Sequence, residues 1–178
     1  KLRQPEPAFD LLTDAIKQMP DQPELLYTRG LLAEQLHRLD VMESDLKSLL
    51  DKNPEDAAAL NALGFSLTVH YPDRLDEAEG FIRRALAKRP GDPAILDSYG
   101  WVLFRKGKVQ DAVTPLKKAY GLFQDPEIAA HLGEVLWVMG RKAEARQIWL
   151  EAWRRDSQQQ DMQRIHQSYP EVFTGAAK

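Results

Sequence analysis

The chain has 178 residues, 43% hydrophobic and 29% charged, with a net charge of −3 and no cysteine. This is an ordinary globular composition, with enough length for one sizeable core. Disulfides, thiolate catalysis and cysteine-based metal sites are excluded, and no apolar run approaches the roughly 18 residues of a membrane-spanning helix.

The first periodic segment, residues 4–18, has Ala8-x3-Leu12, Ala15 and a closing Pro20. It reads as the second half of a helix pair without its first half. Because the chain opens on Lys1, the expectation is a fragment of a longer protein, with an N-terminal capping helix as the alternative. Further helices are predicted over 22–36, 39–52, 56–70, 74–88, 93–106, 109–122, 126–139 and 142–155. Pro20, Pro54 and Pro90 stop second helices, since proline cannot continue a helix and biases its predecessor away from one. Asp21, Asp56, Asp92 and Asp125 stand where N-caps should, and Gly107 and Gly140 where a left-handed C-terminal cap would sit. Pro115 falls inside a second helix and predicts a mild bend. A polar segment, 158–168, with Met162, Ile165 and Tyr169 on one side, reads as a C-terminal capping helix stopped by Pro170. Residues 170–178 read as a tail, frayed from Thr174 onward. No stretch alternates apolar and polar as a strand would.

Gly30, Gly64, Gly100 and Gly133 recur at spacings of 34, 36 and 33 residues. Small residues are wanted where the two helices of a pair cross closely. The frame around each glycine repeats. Leu60-x2-Leu63-Gly64-x2-Leu67 is followed by Ala78-x3-Ile82, and Leu96-x2-Tyr99-Gly100-x2-Leu103 by Ala112-x3-Leu116. Ala129-x2-Leu132-Gly133-x2-Leu136 is followed by Ala145-x3-Trp149. A weaker copy runs Leu26-x2-Arg29-Gly30-x2-Ala33, then Met42-x3-Leu46. The 36-residue spacing reads as 34 plus a two-residue insertion around His70-Tyr71-Pro72-Asp73. This pattern resembles the tetratricopeptide repeat (TPR) family. The resemblance implies an all-α, right-handed superhelix of antiparallel helix pairs. It divides the chain as a half repeat over 4–20, full repeats over 22–54, 56–90, 92–124 and 125–157, a capping helix over 158–169, and a tail. All are expected to form one array.

Such arrays bind proteins and peptides on a concave groove. Mapped by that resemblance, the groove is lined by Tyr27 and Leu31, Asn61 and Phe65, Asp97 and Trp101, and Ala130 and Glu134, with Val69, Arg105, Trp137 and Val138 further along. Phe65, Trp101 and Trp137 would be the aromatic anchors, and Asn61 would hold a peptide backbone as both donor and acceptor. On this reading Trp101→Ala weakens partner binding and leaves the array folded. Trp149 and Trp153 are assigned to core or capping contacts. A carboxylate clamp of the kind that holds chaperone tails is not expected, because Leu31, Phe65, Asp97 and Glu134 occupy the matching positions.

No catalytic or cofactor motif stands out. His37, His70, His131 and His166 lie on four different elements. His131 and Glu134 are three apart on one helix, and the sequence places no further metal ligands beside them. There is no phosphate loop and no Gly-x-Ser-x-Gly elbow. Asp73, Asp76, Glu77 and Glu79 favour a helix start through its dipole. The reading is therefore a non-enzyme without cofactor or metal.

Residues 1–82 hold 8 Lys/Arg against 16 Asp/Glu, and residues 83–155 hold 14 against 8. The basic pairs Arg83-Arg84, Lys88-Arg89, Lys117-Lys118 and Arg154-Arg155 fall mostly on second helices without interleaved aromatics. This argues against nucleic acid as a partner and for solvated outer faces.

The stretches Ile95–Val113 and Asp125–Arg141 are similar to the C-terminal repeats of proteobacterial TPR proteins, many of them outer-membrane lipoproteins facing the periplasm. This likeness is specific over 92–157 and generic over 4–90. It implies an adaptor, such as one that binds a carboxyl-terminal processing protease and delivers substrates to it. The alternative is self-association into a homodimer through the apolar side of the first helix (Phe9, Leu12, Ile16).

Overall fold

The computed structural model describes residues 5–20 and 22–174. The cap assigned to Asp21 and the end of the tail, 175–178, lie outside the described residues. Within them, every regular element is helical. Helix boundaries follow the caps closely. α1 spans Pro5–Gln18, α2 Pro23–Gln35, α3 Leu39–Lys52, α4 Ala57–His70 and α5 Leu75–Lys88. α6 spans Pro93–Arg105, α7 Val109–Leu122, α8 Pro126–Val138, α9 Lys142–Arg155, α10 Gln160–Ser168 and α11 Pro170–Phe173.

Three of the four predicted aspartate caps are made. The Asp56 carboxylate accepts from the backbone N–H groups of Ala58 (2.9 Å) and Ala59 (3.0 Å). Asp92 accepts from Ala94 (3.0 Å) and Ile95 (3.4 Å), and Asp125 from Glu127 (2.8 Å). Each satisfies donors that the first helical turn leaves unpaired. At the other ends, Gly107 and Gly140 take φ of 77° and 80°. His37, at the matching turn of the first pair, is forced to 57° without a glycine's freedom. α7 runs unbroken through Pro115. α10 begins two residues later than predicted, because Asp156 holds the N–H groups of Gln158 and Gln159 in a turn. Gln159 then caps the helix, accepting from Asp161 and Met162.

The chain forms two compact units, Lys1–Arg89 and Pro90–Lys178. In the first, α1 packs on α2, α2 on α3, α3 on α4 and α4 on α5. Its core is built by Leu26, Met42, Leu46, Leu60, Leu63, Leu67 and Ile82. The weak copy of the repeat has a polar explanation. Arg29 stands where other copies place Leu63, Tyr99 and Leu132, and its guanidinium donates to both oxygens of buried Asp45 on α3 (2.7 and 2.8 Å). The inserted residues form a 3-10 turn, Pro72–Arg74. From it Arg74 reaches back to Glu43 on α3 and forward to Glu77 on α5.

In the second unit, α6 packs on α7, α7 on α8 and α8 on α9, and α10 covers α8 and α9. Trp149 is its largest fully buried side chain. It lies against Gly133, and a Cβ there would stand 2.0 Å from the Trp149 indole nitrogen. The repeated glycine is thus a packing requirement at this crossing.

Candidate functional site

The predicted groove positions fall on α2 and α4 in the first unit and on α6 and α8 in the second. In the first unit, Tyr27, Leu31, Asn61 and Phe65 are all half-buried, and Val69 is 37% exposed. Tyr27 and Leu31 form one wall of a cavity of about 470 Å³ between α1 and α2, and Ala8, Leu11 and Leu12 form the other. Its lining is mostly hydrocarbon, and Leu11 is 72% exposed at its edge. Burial raises the pKa of the Tyr27 phenol, with the Asp56 carboxylate adding to the effect. Asn61 Oδ1 is buried and receives no hydrogen bond.

In the second unit the expectation that Trp101 and Asp97 stand open in a groove is not met. Trp101 is 8% exposed, and its face is covered by the His131 ring at a centroid distance of 4.0 Å, with Phe104 at 5.2 Å. Asp97 is buried, and its carboxylate oxygens lie 2.9 and 3.1 Å from His131 Nδ1. A residue locked in this way cannot offer contact area without first breaking the stack. Glu134 is half-buried and held by Arg164 of α10 at 2.9 Å. Trp137 is half-buried between Trp149 (5.5 Å) and Tyr169 (5.2 Å), with the Lys142 ammonium 5.0 Å over its ring. Arg105 is half-buried on the last turn of α6, and Val138 is exposed. The capping helix thus covers part of the face that the repeat pattern left open. Trp149 and Trp153 serve the predicted structural roles. Trp149 N–H donates to the Ala130 carbonyl (3.3 Å), and Trp153 stacks on His166 (4.7 Å).

His131 has an acidic neighbour on its own helix, but it is Glu127, four residues earlier, rather than Glu134. Donor atoms of Asp97, Glu127 and His131 lie within 4.8 Å of one another. Burial and the nearby carboxylates of Asp97, Asp161 and Asp125 push the Glu127 carboxyl up to about 7, against the opposing pull of His131. Burial disfavours charge on His131, but the carboxylates of Asp97, Glu127 and Asp161 together outweigh it and move the imidazole pKa upward. Sequence reading missed this cluster. The signal on α8 was a Glu-x3-His spacing, which puts both side chains on one helix face. Asp97 arrives from 34 residues earlier, and only the stacking of α6 against α8 brings it close.

The exposed basic pairs are largely matched locally. Lys88 pairs with Glu55 at 2.7 Å, and Lys117 with Glu144 at 3.4 Å.

The tetratricopeptide repeat model matches residues 27–93, 73–127 and 100–161, which together cover most of the chain. The chain belongs to the tetratricopeptide repeat family. A TPR repeat-containing protein of Pseudomonas aeruginosa is 46% identical over 131 residues, 74% of this chain. The chain matches 22% of that protein's length, so it spans about a fifth of this curated relative. Among solved structures, a thermophilic TPR protein of Thermus thermophilus superposes with a TM-score of 0.80 at 23% identity, over 96% of this chain and 91% of that one. MamA of Desulfovibrio magneticus gives 0.67 at 18% identity, over 88% of each chain. An O-GlcNAc transferase of Thermobaculum terrenum gives 0.67 at 23% identity, over 75% of this chain but 26% of that enzyme. These likenesses establish an all-α TPR fold. TPR folds are typically non-catalytic scaffolds, and TPR proteins in general mediate protein–protein interaction. No helix among the described residues is long and apolar enough to cross a membrane.

Proposed function

We propose that this chain is a binding scaffold that takes up an apolar segment of a protein or peptide partner between α1 and α2 of its first unit. The observation that carries this reading is the cavity walled by Leu11, Leu12, Tyr27 and Leu31. A largely hydrocarbon concavity with a few polar groups at its edge is the usual form of a recognition site. Two residues chosen from the repeat pattern, Tyr27 and Leu31, line it. Asn61 and Phe65, at the matching positions of the next copy, are half-buried on α4.

The setting we propose is a bacterial envelope complex, at the periplasmic side of the outer membrane, in which the parent protein is a lipoprotein adaptor presenting substrates to a processing protease. The support is the likeness of residues 92–157 to repeats of such adaptors. A pull-down from a periplasmic extract, comparing this chain with its Leu31→Glu variant, tests both parts. A protease or its substrates retained by the parent chain and lost with the variant supports the site and the role. Equal retention by a folded Leu31→Glu variant removes the cavity from the argument. The absence of any protease or substrate sinks the adaptor role.

A second reading, self-association through α1, is favoured by the exposure of Leu11 and not by the expected side, where Phe9 is buried and Leu12 and Ile16 are half-buried. Light scattering over a concentration series decides it, since a monomer at every concentration excludes it.

A further inference from the structure

We propose that Asp97, Glu127 and His131 form a binding site for one divalent first-row transition-metal cation, of the zinc class. The site lies within the second unit and is independent of the apolar cavity. Three observations converge on it. The donor atoms, two carboxylate oxygens and one imidazole nitrogen, lie within 4.8 Å of one another. Two ligands about 2.1 Å from a tetrahedral zinc stand about 3.4 Å apart. His131 Nδ1 and Asp97 Oδ2, 2.9 Å apart in a hydrogen bond, need to part by only about 0.5 Å to become two such ligands.

The second observation is pre-organisation. Asp125 caps α8 and fixes the turn that carries Glu127, with His131 one turn later on the same face. Asp92 does the same for α6, which carries Asp97. The Trp101 ring, stacked on the imidazole at 4.0 Å, holds the histidine plane in place. Both Asp97 and His131 keep side-chain exposures of only 5% and 4%. Rigid ligands on helices are what a defined metal geometry needs.

The third observation is charge. Two carboxylates face one imidazole, a set of donors that a divalent cation neutralises. The Arg164 guanidinium is taken up by Glu134 and Asp161. Binding would replace the hydrogen bond between His131 and Asp97, both side chains turning onto the cation. The nitrogen donor favours zinc over calcium or magnesium, which prefer oxygen throughout, and cobalt serves as its coloured probe. With three protein ligands, a water would complete the tetrahedral set.

The test uses the 178-residue chain after treatment with a chelator. Zinc chloride is titrated by calorimetry, and cobalt chloride by visible absorption, against the parent chain, Glu127→Gln and a His166→Gln control. Glu127→Gln is nearly isosteric and removes a charge that burial disfavours, so its circular dichroism should match the parent. The expected result is one equivalent of metal with cobalt ligand-field bands, affinity reduced at least tenfold in Glu127→Gln, and no change in His166→Gln. A folded parent chain that binds neither metal overturns the proposal. So does equal affinity in the parent and Glu127→Gln.

Discussion

The same substitution, glycine to alanine, should have opposite signs at two equivalent crossings. At Gly133 the added Cβ would meet the Trp149 ring at 2.0 Å, far inside contact distance. Trp149 is fully buried and its N–H is engaged by the Ala130 carbonyl, so it cannot swing clear. Overpacking of this kind costs about 1–3 kcal/mol, and a displaced indole hydrogen bond adds about 1 kcal/mol. Alanine's better helix propensity returns about 1 kcal/mol. The net loss for Gly133→Ala is about 1–3 kcal/mol, or roughly 2–12 °C in midpoint for a chain of this length. At Gly30 the nearest atom, Leu46 Cγ, stands 3.5 Å away, an ordinary contact. There the propensity gain survives, and Gly30→Ala should stabilise by about 0.5–1 kcal/mol. Thermal and urea melts followed by circular dichroism and tryptophan fluorescence measure both. If Gly133→Ala melts at or above the parent temperature, or Gly30→Ala falls as far as Gly133→Ala, the close-crossing account is wrong.

Arg29→Leu should lose about 3–5 kcal/mol by stranding buried Asp45, while Arg29→Leu/Asp45→Leu should come within about 1 kcal/mol of the parent; urea midpoints separate the two. Arg74 holds the Glu43 carboxyl down at about 2, with help from Lys47 and against the pull of burial. A depressed carboxylate contributes stability above its unfolded value near 4.5 and loses it as pH falls towards 2. Glu43→Gln should therefore be less stable than the parent by about 1 kcal/mol at pH 7, after discounting for solvent screening, and equal to it at pH 2. A gap that does not close on acidification refutes that origin. Trp101→Ala should cost about 3–5 kcal/mol, because the ring is packed against His131 and Phe104; a melting point unchanged from the parent would return Trp101 to the open surface. His37→Gly should stabilise by about 1 kcal/mol by relieving the left-handed backbone, as read from the urea midpoint.

The helix pairs, their caps and their breaks were legible in the chain itself. Prolines, aspartate caps and glycine turns act through bonds to residues two to four positions away, so their consequences are written locally. Asp56, Asp92, Asp125, Gly107 and Gly140 all did what their neighbours required. The 34-residue period also encoded the stacking partner of each helix, because the family resemblance supplied the geometry that relates one copy to the next. What the period could not decide was which face-forming side chains stay open. Trp101 sits at a groove position by register, yet His131 from the next first helix lies across it. Glu134 and Trp137 are covered in part because α10 and Tyr169 fold back on α8. The Asp97, Glu127 and His131 cluster was hidden for the same reason: its members are 34 and 4 residues apart. Burial and desolvation depend on what arrives from elsewhere in the chain, and only packing in three dimensions determines that.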